Sequence, residues 1–478
     1  MPRPPVLDRR SFLLSAAPAL ALLQAGCAAP RAGGAIREVN LVAAPAQVHV
    51  RGATQPAVNA WAYGGSVPGP QIRARQGERL RVVLENRLPQ ETTVHWHGVR
   101  VPNAMDGVPH LTQPPVPPGG RFVYEFDLPD AGTYWYHSHL HSAEQLERGL
   151  YGTLVVEEAQ PLPVDRELTW VLDDWQLLRD GRLNESFGNA HDMAHAGRIG
   201  NVVNVNGLVA PEIALRAGER VRLRLLNAAN ARIFALQFDG HRPQVIALDG
   251  QPVAAHEPAR GRVVLAPGMR CDLLLDAVGS PGQRFAVGDV FSARAAYDLL
   301  HLVYESEPLR ARPHSGPVSL PPNPLAEPDV AAARVHEIRF EGGMMGSLHR
   351  ALLDGRPTDM MGLLRARKAW AVNGVVADGH RMEPMLTLRS GSSQVFRMRN
   401  DTRWFHPIHL HGHTFRVVAR NGQPTQHREW QDTVLMAPQE QVDIAFVADN
   451  PGDWMFHCHV LEHQEGGMMG VVRVAQQF

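Results

Sequence analysis

An internal repeat is the feature of this sequence that most constrains its fold. Three segments share a pattern in which a turn containing glycine leads into a run that ends in asparagine. The paired positions are Gly77 and Asn86, Gly218 and Asn227, and Gly391 and Asn400. Around them, apolar and polar residues alternate over short runs separated by Gly, Pro and Asn, a pattern typical of strands. The repeat therefore predicts three copies of one antiparallel β-sandwich, with no long helix.

The repeat divides most of the chain into three domains and a linker. The domains are predicted to span residues 36–158, 160–305 and 334–478. Residues 306–333 contain many prolines, including Pro308, Pro317 and Pro328. Such a composition favours an extended connection, so this segment is predicted to be an interdomain linker.

Residues 1–34 are predicted to be an export signal rather than part of the fold. Arg9 and Arg10 precede a modest apolar run, which resembles a twin-arginine (Tat) signal and predicts a periplasmic protein. The run is too short for a transmembrane helix. The residues before Cys27 resemble a lipoprotein cleavage box, although Gln24 stands where an aliphatic residue is usual. The alternatives are a lipid anchor on Cys27 and ordinary cleavage between residues 32 and 35.

The overall charge and the cysteine count exclude several classes of protein. The formal net charge is −1, so neither a nucleic-acid partner nor electrostatic attraction to an anionic membrane is indicated. The three cysteines, Cys27, Cys271 and Cys458, cannot form a disulfide framework. Cys271 has no neighbouring histidine and is predicted to be a small buried residue. The 24 histidines instead point toward metal chemistry.

Cys458 lies between His457 and His459, and His463 and Met468 follow it. On a strand, the two flanking imidazoles would point to one face and the thiol to the other. A thiolate, imidazoles and a weak thioether form the ligand set of a blue-copper electron-transfer site, once a second histidine is supplied. The sequence therefore predicts metals on both faces of a single strand.

Further pairs of the form His-x-His occur only in the first and third predicted domains. They are His95 and His97, His137 and His139, and the group His406, His409 and His411. The corresponding part of the middle domain has the single His241. We therefore expect a metal cluster between the first and third domains, with the middle domain as a spacer that holds them in register.

Four motifs in series resemble those of the multicopper oxidases, a family that includes laccases and bacterial cuprous oxidases. They are HWHG from residue 95, HSH from residue 137, HPIHLHG from residue 406 and HCHVLEHQEGGMM from residue 457. The resemblance implies an all-β chain of three cupredoxin-like Greek-key β-sandwich domains. It also implies that dioxygen is reduced to water with electrons taken from a small substrate. The alternative is a copper-binding or storage protein without enzymatic activity.

The resemblance assigns ligands for four copper ions. It places His406, Cys458 and His463 at the blue (type 1) copper, with Met468 as the axial ligand. The trinuclear cluster would take His95 and His409 at type 2 copper, His97, His137 and His459 at one type 3 copper, and His139, His411 and His457 at the other.

Oxygen reduction consumes protons, so carboxylates near the cluster are expected. Asp106 matches the acidic residue that the family has near the type 2 copper. The family often has a glutamate directly after the last blue-site histidine, but this chain has Gln464 there and Glu465 next. We expect Asp106 to be essential and Glu465 to be secondary.

The sequence leaves the electron donor open between Cu(I), a phenol or aromatic amine, and Mn(II). Thioethers suit Cu(I), and methionines precede His406 at Met344, Met345, Met360, Met361, Met382 and Met385. Cuprous oxidases have a carboxylate and a methionine where this chain has Thr402 and Trp404, and the tryptophan suits an aromatic donor. A second candidate metal site, or a polar surface, is the segment that contains His191, Met193 and His195. We expect a monomer.

Overall fold

Alternating apolar residues produce two-layered packing in the computed structural model, which describes residues 36–312, 316, 318–346, 348–379 and 383–476. In the strand Arg79–Asn86, Leu80, Val82 and Leu84 are buried, and the residues between them are partly exposed. Each sheet thereby gains an apolar face to pack against a second sheet. The described strands form six sheets, paired as three β-sandwiches, which confirms the predicted fold class.

The first sandwich consists of two four-stranded sheets. Its strands are β1 (Ile36–Val48), β2 (Val58–Tyr63), β3 (Gly69–Arg75), β4 (Arg79–Asn86), β5 (His95–His97), β6 (Arg121–Asp127), β7 (Gly132–His137) and β8 (Tyr151–Glu157). The sheet orders are β2-β1-β4-β6 and β3-β8-β7-β5. A 3₁₀ turn, Asn103–Met105, and the short helix α1, Ser142–Glu147, lie in the connections.

The middle sandwich pairs a six-stranded sheet with a five-stranded one. Its strands are β9 (Arg166–Trp175), β10 (Val202–Val205), β11 (Glu212–Leu215), β12 (Arg220–Asn227), β13 (Phe234–Phe238), β14 (Gln244–Leu248), β15 (Gln251–His256), β16 (Val263–Leu265), β17 (Arg270–Asp276), β18 (Arg284–Asp289) and β19 (Tyr297–Tyr304). The sheet orders are β10-β9-β12-β17-β14-β15 and β11-β19-β18-β13-β16. Helix α2, Ala190–Ala194, follows β9, and a 3₁₀ turn, Ala259–Gly261, follows β15.

The third sandwich is extended at one edge by an additional hairpin. Its strands are β20 (Arg334–Gly342), β21 (Arg350–Leu353), β22 (Arg356–Asp359), β23 (Trp370–Val372), β24 (Val375–Val376), β25 (Pro384–Arg389), β26 (Ser393–Asn400), β27 (His406–Leu410), β28 (Phe415–Arg420), β29 (Gln423–Pro424), β30 (Trp430–Gln431), β31 (Thr433–Met436), β32 (Gln441–Val447), β33 (Gly452–Cys458) and β34 (Met469–Ala475). One sheet has the order β22-β21-β24-β23-β20-β26-β32-β28-β29, with β30 beside β28, and the other has the order β25-β34-β33-β27-β31. Helices α3, Met360–Arg365, and α4, Leu461–Glu465, complete this domain.

The sheets are mixed, which corrects the prediction of purely antiparallel sandwiches. Every sheet contains a parallel pair, and the equivalent pairs recur through the repeat. They are β1 with β4, β3 with β8, β9 with β12, β11 with β19, β20 with β26, and β25 with β34. In each of them the chain passes through other strands before it returns, and such a crossover, unlike a hairpin, allows parallel pairing.

The first and third sandwiches share one continuous apolar core, in which Trp96 and Phe456 are both fully buried. The middle sandwich has its own core. Part of the predicted linker is packed: Val318 and Leu320 are buried against the middle domain. None of the described sheets combines strands from two predicted domains. The ends of the domains and of the linker stay predictions.

The predicted export signal, with Arg9, Arg10 and Cys27, lies outside the described residues and stays a prediction. Among the residues that the structure describes, no helix is long and apolar enough to cross a membrane.

Candidate metal centres

Strand pairing aligns the histidine motifs. In the first domain, β5 and β7 are antiparallel neighbours that place His95 opposite His137. In the third domain, β27 and β33 place His409 opposite His457 and Ile408 opposite Cys458. Because paired residues of adjacent strands lie side by side, each short motif is fixed by main-chain hydrogen bonds to another one.

Eight histidines converge between the first and third domains, as the motif distribution predicted. The cluster contains His95, His97, His137, His139, His409, His411, His457 and His459, all of them buried. Rings from the two domains stack directly: the centroids of His95 and His411 are 3.9 Å apart, and those of His97 and His409 are 3.8 Å apart. The His459 ring lies 5.4 Å from that of His137, and the His457 ring 5.5 Å from that of His139.

The ring nitrogens of this histidine cluster are arranged as metal ligands. Oxygen atoms hold Nδ1 of His95, His137, His409 and His457 at 2.8–2.9 Å. Among the described residues, seven nitrogens of the cluster are buried without a partner: His95 Nε2, His97 Nδ1, His137 Nε2, His139 Nε2, His409 Nε2 and both nitrogens of His459. Unpaired buried polar atoms are costly, and metal ions would satisfy them.

Burial also fixes the charge state of the cluster. Desolvation, together with repulsion between neighbouring imidazoles, holds the pKa of His97, His139 and His411 well below the ordinary value. The pKa of His137, His457 and His459 is shifted in the same direction for the same reasons. These side chains are therefore neutral near pH 7, the form in which imidazole binds metals such as copper.

A second group lies on the opposite face of β33. Cys458 Sγ is 3.5 Å from His406 Nδ1 and 3.6 Å from His463 Nδ1, and the two nitrogens are 3.1 Å apart. The outer nitrogens donate to oxygens: His406 Nε2 to Thr402 Oγ1 at 2.8 Å and His463 Nε2 to the His195 carbonyl at 2.7 Å. The inner nitrogens therefore face the sulfur as acceptors, and this donor set fits copper.

Other atoms complete the surroundings of Cys458. Met468 is fully buried in the same apolar cluster as Cys458. Burial raises the pKa of the Cys458 thiol. A thiol in such a place becomes a thiolate when a metal displaces its proton. By contrast, Cys271 is buried in the middle domain, as predicted for a residue that only packs.

The structure places the two predicted carboxylates differently. Asp106 is fully buried inside the histidine cluster, where its Oδ2 accepts from His411 Nδ1 at 2.9 Å and its Oδ1 lies 3.2 Å from His95 Nδ1. Glu465 accepts from the Ala143 main-chain N–H at 3.0 Å, and burial raises its pKa. It lines a cavity of about 200 Å³ that also reaches His139. Asp106 therefore touches the cluster, whereas Glu465 lies on a path to it.

The sequence did not predict a role for Asp432, which forms hydrogen bonds with two histidines of the cluster. Its Oδ1 accepts from His97 Nε2 at 3.1 Å, and its carbonyl accepts from His409 Nδ1 at 2.8 Å. Arg270 of the middle domain donates to both carboxylate oxygens. Although burial acts to raise the pKa of Asp432, the charge of Arg270 and its hydrogen bonds lower it. No local motif marks Asp432, because its partners are distant in sequence.

The middle domain thus does more than keep its neighbours in register. A Cβ atom at Gly268 would lie 2.9 Å from the His459 ring and 3.1 Å from that of His97, so only glycine lets this loop pack so closely. Glu462, next to His463 of the Cys458 group, accepts from the Arg198 main-chain N–H and from the Asn230 side chain, both at 3.0 Å. Both the histidine cluster and the Cys458 group therefore contact the middle domain.

Several of the predicted donor-binding residues lie beside the Cys458 group. Met344 N donates to the Ala194 carbonyl at 2.7 Å, and Trp404 Nε1 donates to the Met344 carbonyl at 3.0 Å. The Trp404 ring is 5.4 Å from that of His195. A cavity of about 210 Å³ is lined by Ala194, Gly343, Met344, Met345, Gly346, Leu348, His349, Met360, Leu364 and Ala369.

Among the described residues, Met361 and Met385 do not line that cavity. Met361 is 61% exposed and is not among the residues that line the cavity. Met385 is partly buried against the core of the first and third domains. Met382 lies outside the described residues. Met193 is buried, whereas the side chain of His191 is 79% exposed, so these two residues do not form one ligand group.

Comparison with known proteins identifies the family. Sequence profiles described as multicopper oxidase match residues 44–161, 166–296 and 355–477. The chain is 31% identical to the multicopper oxidase MmcO of Mycobacterium tuberculosis over 475 residues, covering 93% of this chain and 88% of that protein. It is 26% identical to a copper resistance protein A homolog of Pseudomonas syringae pv. tomato, with 92% of each chain covered.

A solved structure of a multicopper oxidase is also similar to this chain. The multicopper oxidase from Pseudomonas thermotolerans superposes with a TM-score of 0.82 at 35% identity, covering 93% of this chain and all of that one. Together with the buried His and Cys groups, these matches confirm the resemblance of the four motifs. The chain belongs to the multicopper oxidase family and is an oxidoreductase that reduces dioxygen.

Proposed function

We propose that the chain oxidises Cu(I) to Cu(II) and passes the electrons to dioxygen. The overall reaction converts four Cu(I), one dioxygen and four protons into four Cu(II) and two waters. The proposed ligands at the blue site are His406, Cys458, His463 and Met468. The proposed cluster ligands are His95 and His409 for type 2 copper, and His97, His137, His459, His139, His411 and His457 for the type 3 pair. Copper held there supplies the one-electron steps and the reduction of dioxygen.

The protein supplies the path, the orientation of the ligands and the protons. Cys458 offers its thiolate on one face of β33, and its main chain continues directly into His457 and His459 on the other. Asp106 holds the Nδ1 proton of His411 and orients that ring. Glu465, in the cavity that reaches His139, would relay protons from outside.

The cavity lined by methionines is the observation that favours Cu(I) as the substrate. Three methionines, Met344, Met345 and Met360, line it together with His349. Soft sulfur ligands suit Cu(I), whereas Mn(II) prefers carboxylates, which are absent from the described lining. The Met344 carbonyl is bonded to Trp404, two residues from the blue-site ligand His406. The similarity to a copper resistance protein A homolog supports a role in copper tolerance.

An aromatic donor is the second candidate, and Trp404 is the observation that favours it. Its indole is partly buried beside the blue-site group and lies 5.4 Å from the His195 ring. A phenol or aromatic amine could stack there in the laccase manner.

The double substitution Met344→Leu/Met345→Leu separates these substrates. We expect the KM for Cu(I) to rise by at least about tenfold, equivalent to about 1.4 kcal/mol, because two soft ligands are lost. The KM for a phenol should not change. Steady-state oxygen uptake with Cu(I), a phenol and Mn(II) on fully copper-loaded protein measures these values. The matched control is Met361→Leu, whose side chain lies outside the cavity. Unchanged Cu(I) kinetics in the double variant would exclude the cavity as the substrate site.

We also propose that the chain is exported to the periplasm by the Tat pathway. The support is the Arg9-Arg10 pair before an apolar run. Substitution of both arginines by lysine is expected to leave the protein in the cytoplasm, as cell fractionation with an antibody would show. Cys27→Ser should release the protein from membranes if Cys27 carries a lipid, and should change nothing if cleavage falls between residues 32 and 35. Normal export of the double-lysine variant would contradict the Tat assignment.

A further inference from the structure

At helix α2 of the middle domain, His191 and His195 form a pair that belongs to neither the histidine cluster nor the Cys458 group. His191 is in α2, and His195 directly follows the last residue of that helix, where the main chain is no longer helical. Their rings stack with centroids 4.3 Å apart and an interplanar angle of 16°. Two imidazoles held this close together can serve as ligands of one metal ion.

Hydrogen bonds prepare both rings for that role. His195 Nδ1 donates to the His191 carbonyl at 2.8 Å, and His191 Nδ1 lies 3.4 Å from Asp192 Oδ1. A ring whose Nδ1 carries the proton keeps a lone pair on Nε2, which is the usual arrangement in a metal-binding histidine. Within the described part of the chain, the Nε2 atoms of both rings have no hydrogen-bond partner.

The pair lies next to the Cys458 group, where electrons enter in the proposed function. The His195 carbonyl accepts the Nε2–H of His463 at 2.7 Å, and the preceding residue, Ala194, lines the methionine cavity. The side chain of His191 is 79% exposed. His195 is therefore adjacent in the chain to a residue of the cavity, and His191 faces the solvent.

We propose that His191 and His195 bind Cu(II), the product of Cu(I) oxidation, on its way out of the methionine cavity. This inference rests on the proposed function. Cu(I) gives one electron to the blue site and becomes Cu(II). Only the bonds between this copper ion and its own ligands change. The resulting Cu(II) prefers imidazole nitrogen to thioether sulfur, so it moves from the methionines to the histidines. Among the common divalent ions, Cu(II) binds such nitrogen ligands most tightly.

The test adds Cu(II) to the protein already loaded with its four coppers. We expect one additional Cu(II) per chain by equilibrium dialysis, with an electron paramagnetic resonance signal split by nitrogen. Its affinity should fall by at least about tenfold in His191→Ala and in His195→Ala, since loss of even an outer partner commonly has an effect of this size. His195→Ala keeps the main-chain carbonyl that His463 needs.

His49→Ala is the matched control. His49 is also exposed and has its Nδ1 tied to a carbonyl, that of Gln55 at 3.0 Å, but no second imidazole is stacked on it. The additional Cu(II) should bind to this variant as it does to the unmodified protein.

Three results would overturn the inference. One is unchanged Cu(II) binding in both His191→Ala and His195→Ala. Another is loss of the additional ion in His256→Ala, whose ring stacks on that of His427 at 4.1 Å elsewhere on the surface. The third is Zn(II) binding as tight as that of Cu(II). Oxygen uptake with Cu(I) is measured separately. If the protein oxidises Cu(I) but binds no additional Cu(II), only the inference of a product site is contradicted. If it does not oxidise Cu(I), the proposed function itself is contradicted.

Discussion

Asp106→Asn is expected to lower the rate of dioxygen reduction by about a hundredfold or more while all four coppers stay bound. General acid–base groups commonly contribute about 10²–10⁴ to a rate. Asp106 is fully buried and accepts from His411 Nδ1 while its second oxygen lies beside His95 Nδ1. An amide keeps the shape of the side chain, but it cannot take up and release a proton.

Oxygen uptake and copper content together measure this effect. Glu465→Gln should have a smaller effect, because that carboxylate touches a main-chain N–H and the cavity rather than a cluster histidine. Asp289→Asn is the matched control: this buried middle-domain carboxylate accepts from Ala235 N and does not contact the cluster. An Asp106→Asn protein with full copper and unchanged oxygen reduction would disprove the role of Asp106.

Arg270→Met is expected to remove copper from the trinuclear cluster while sparing the blue site, and to destabilise the fold by about 3–5 kcal/mol. Breaking a buried ion pair leaves an uncompensated charge, which has a cost of this size. Arg270 is fully buried against the carboxylates of Asp432 and Asp249. Without it, Asp432 would no longer be held against His97 and His409, and those rings would lose their orientation.

The matched control for Arg270→Met is Arg222→Met. Arg222 is equally buried and pairs with Asp272 and Glu158, but this network does not contact a cluster histidine. Both variants should unfold at lower urea concentration, and only Arg270→Met should show a reduced ratio of total copper to blue absorption. Arg270→Lys should restore part of the copper. An Arg270→Met protein that binds four coppers would contradict this positioning role.

Local patterns in the sequence were sufficient to predict the sandwiches and the two groups of His and Cys side chains that come together. The spacing of His457, Cys458 and His459 predicts their faces from strand geometry alone, and the structure places them so. The glycine and asparagine repeat predicts three domains because each copy is a local turn followed by a strand. The parallel pairs escaped prediction, because pairing through a crossover depends on residues far apart in the chain.

Contacts between domains could not be predicted in the same way. Asp432 and Arg270 are joined only by the packing of the third domain on the middle one, and neither carries a motif that announces the other. His195 contacts His463 through its main-chain carbonyl and not through its side chain. No pattern of side chains in the sequence indicates such a contact. The methionines show a related limit: Met360 lines the cavity and Met361 is exposed, although they are adjacent in sequence.

The division of the histidine cluster between the first and third domains also sets the timing of copper capture during biosynthesis. His95, His97, His137 and His139 leave the ribosome long before His409, His411, His457 and His459 are made. A nascent chain therefore holds only half of the trinuclear ligand set until residues up to 459 have emerged and the third domain has folded onto the first. A chain that stalls before Cys458 lacks Cys458, His459 and His463, so it can complete neither the histidine cluster nor the Cys458 group.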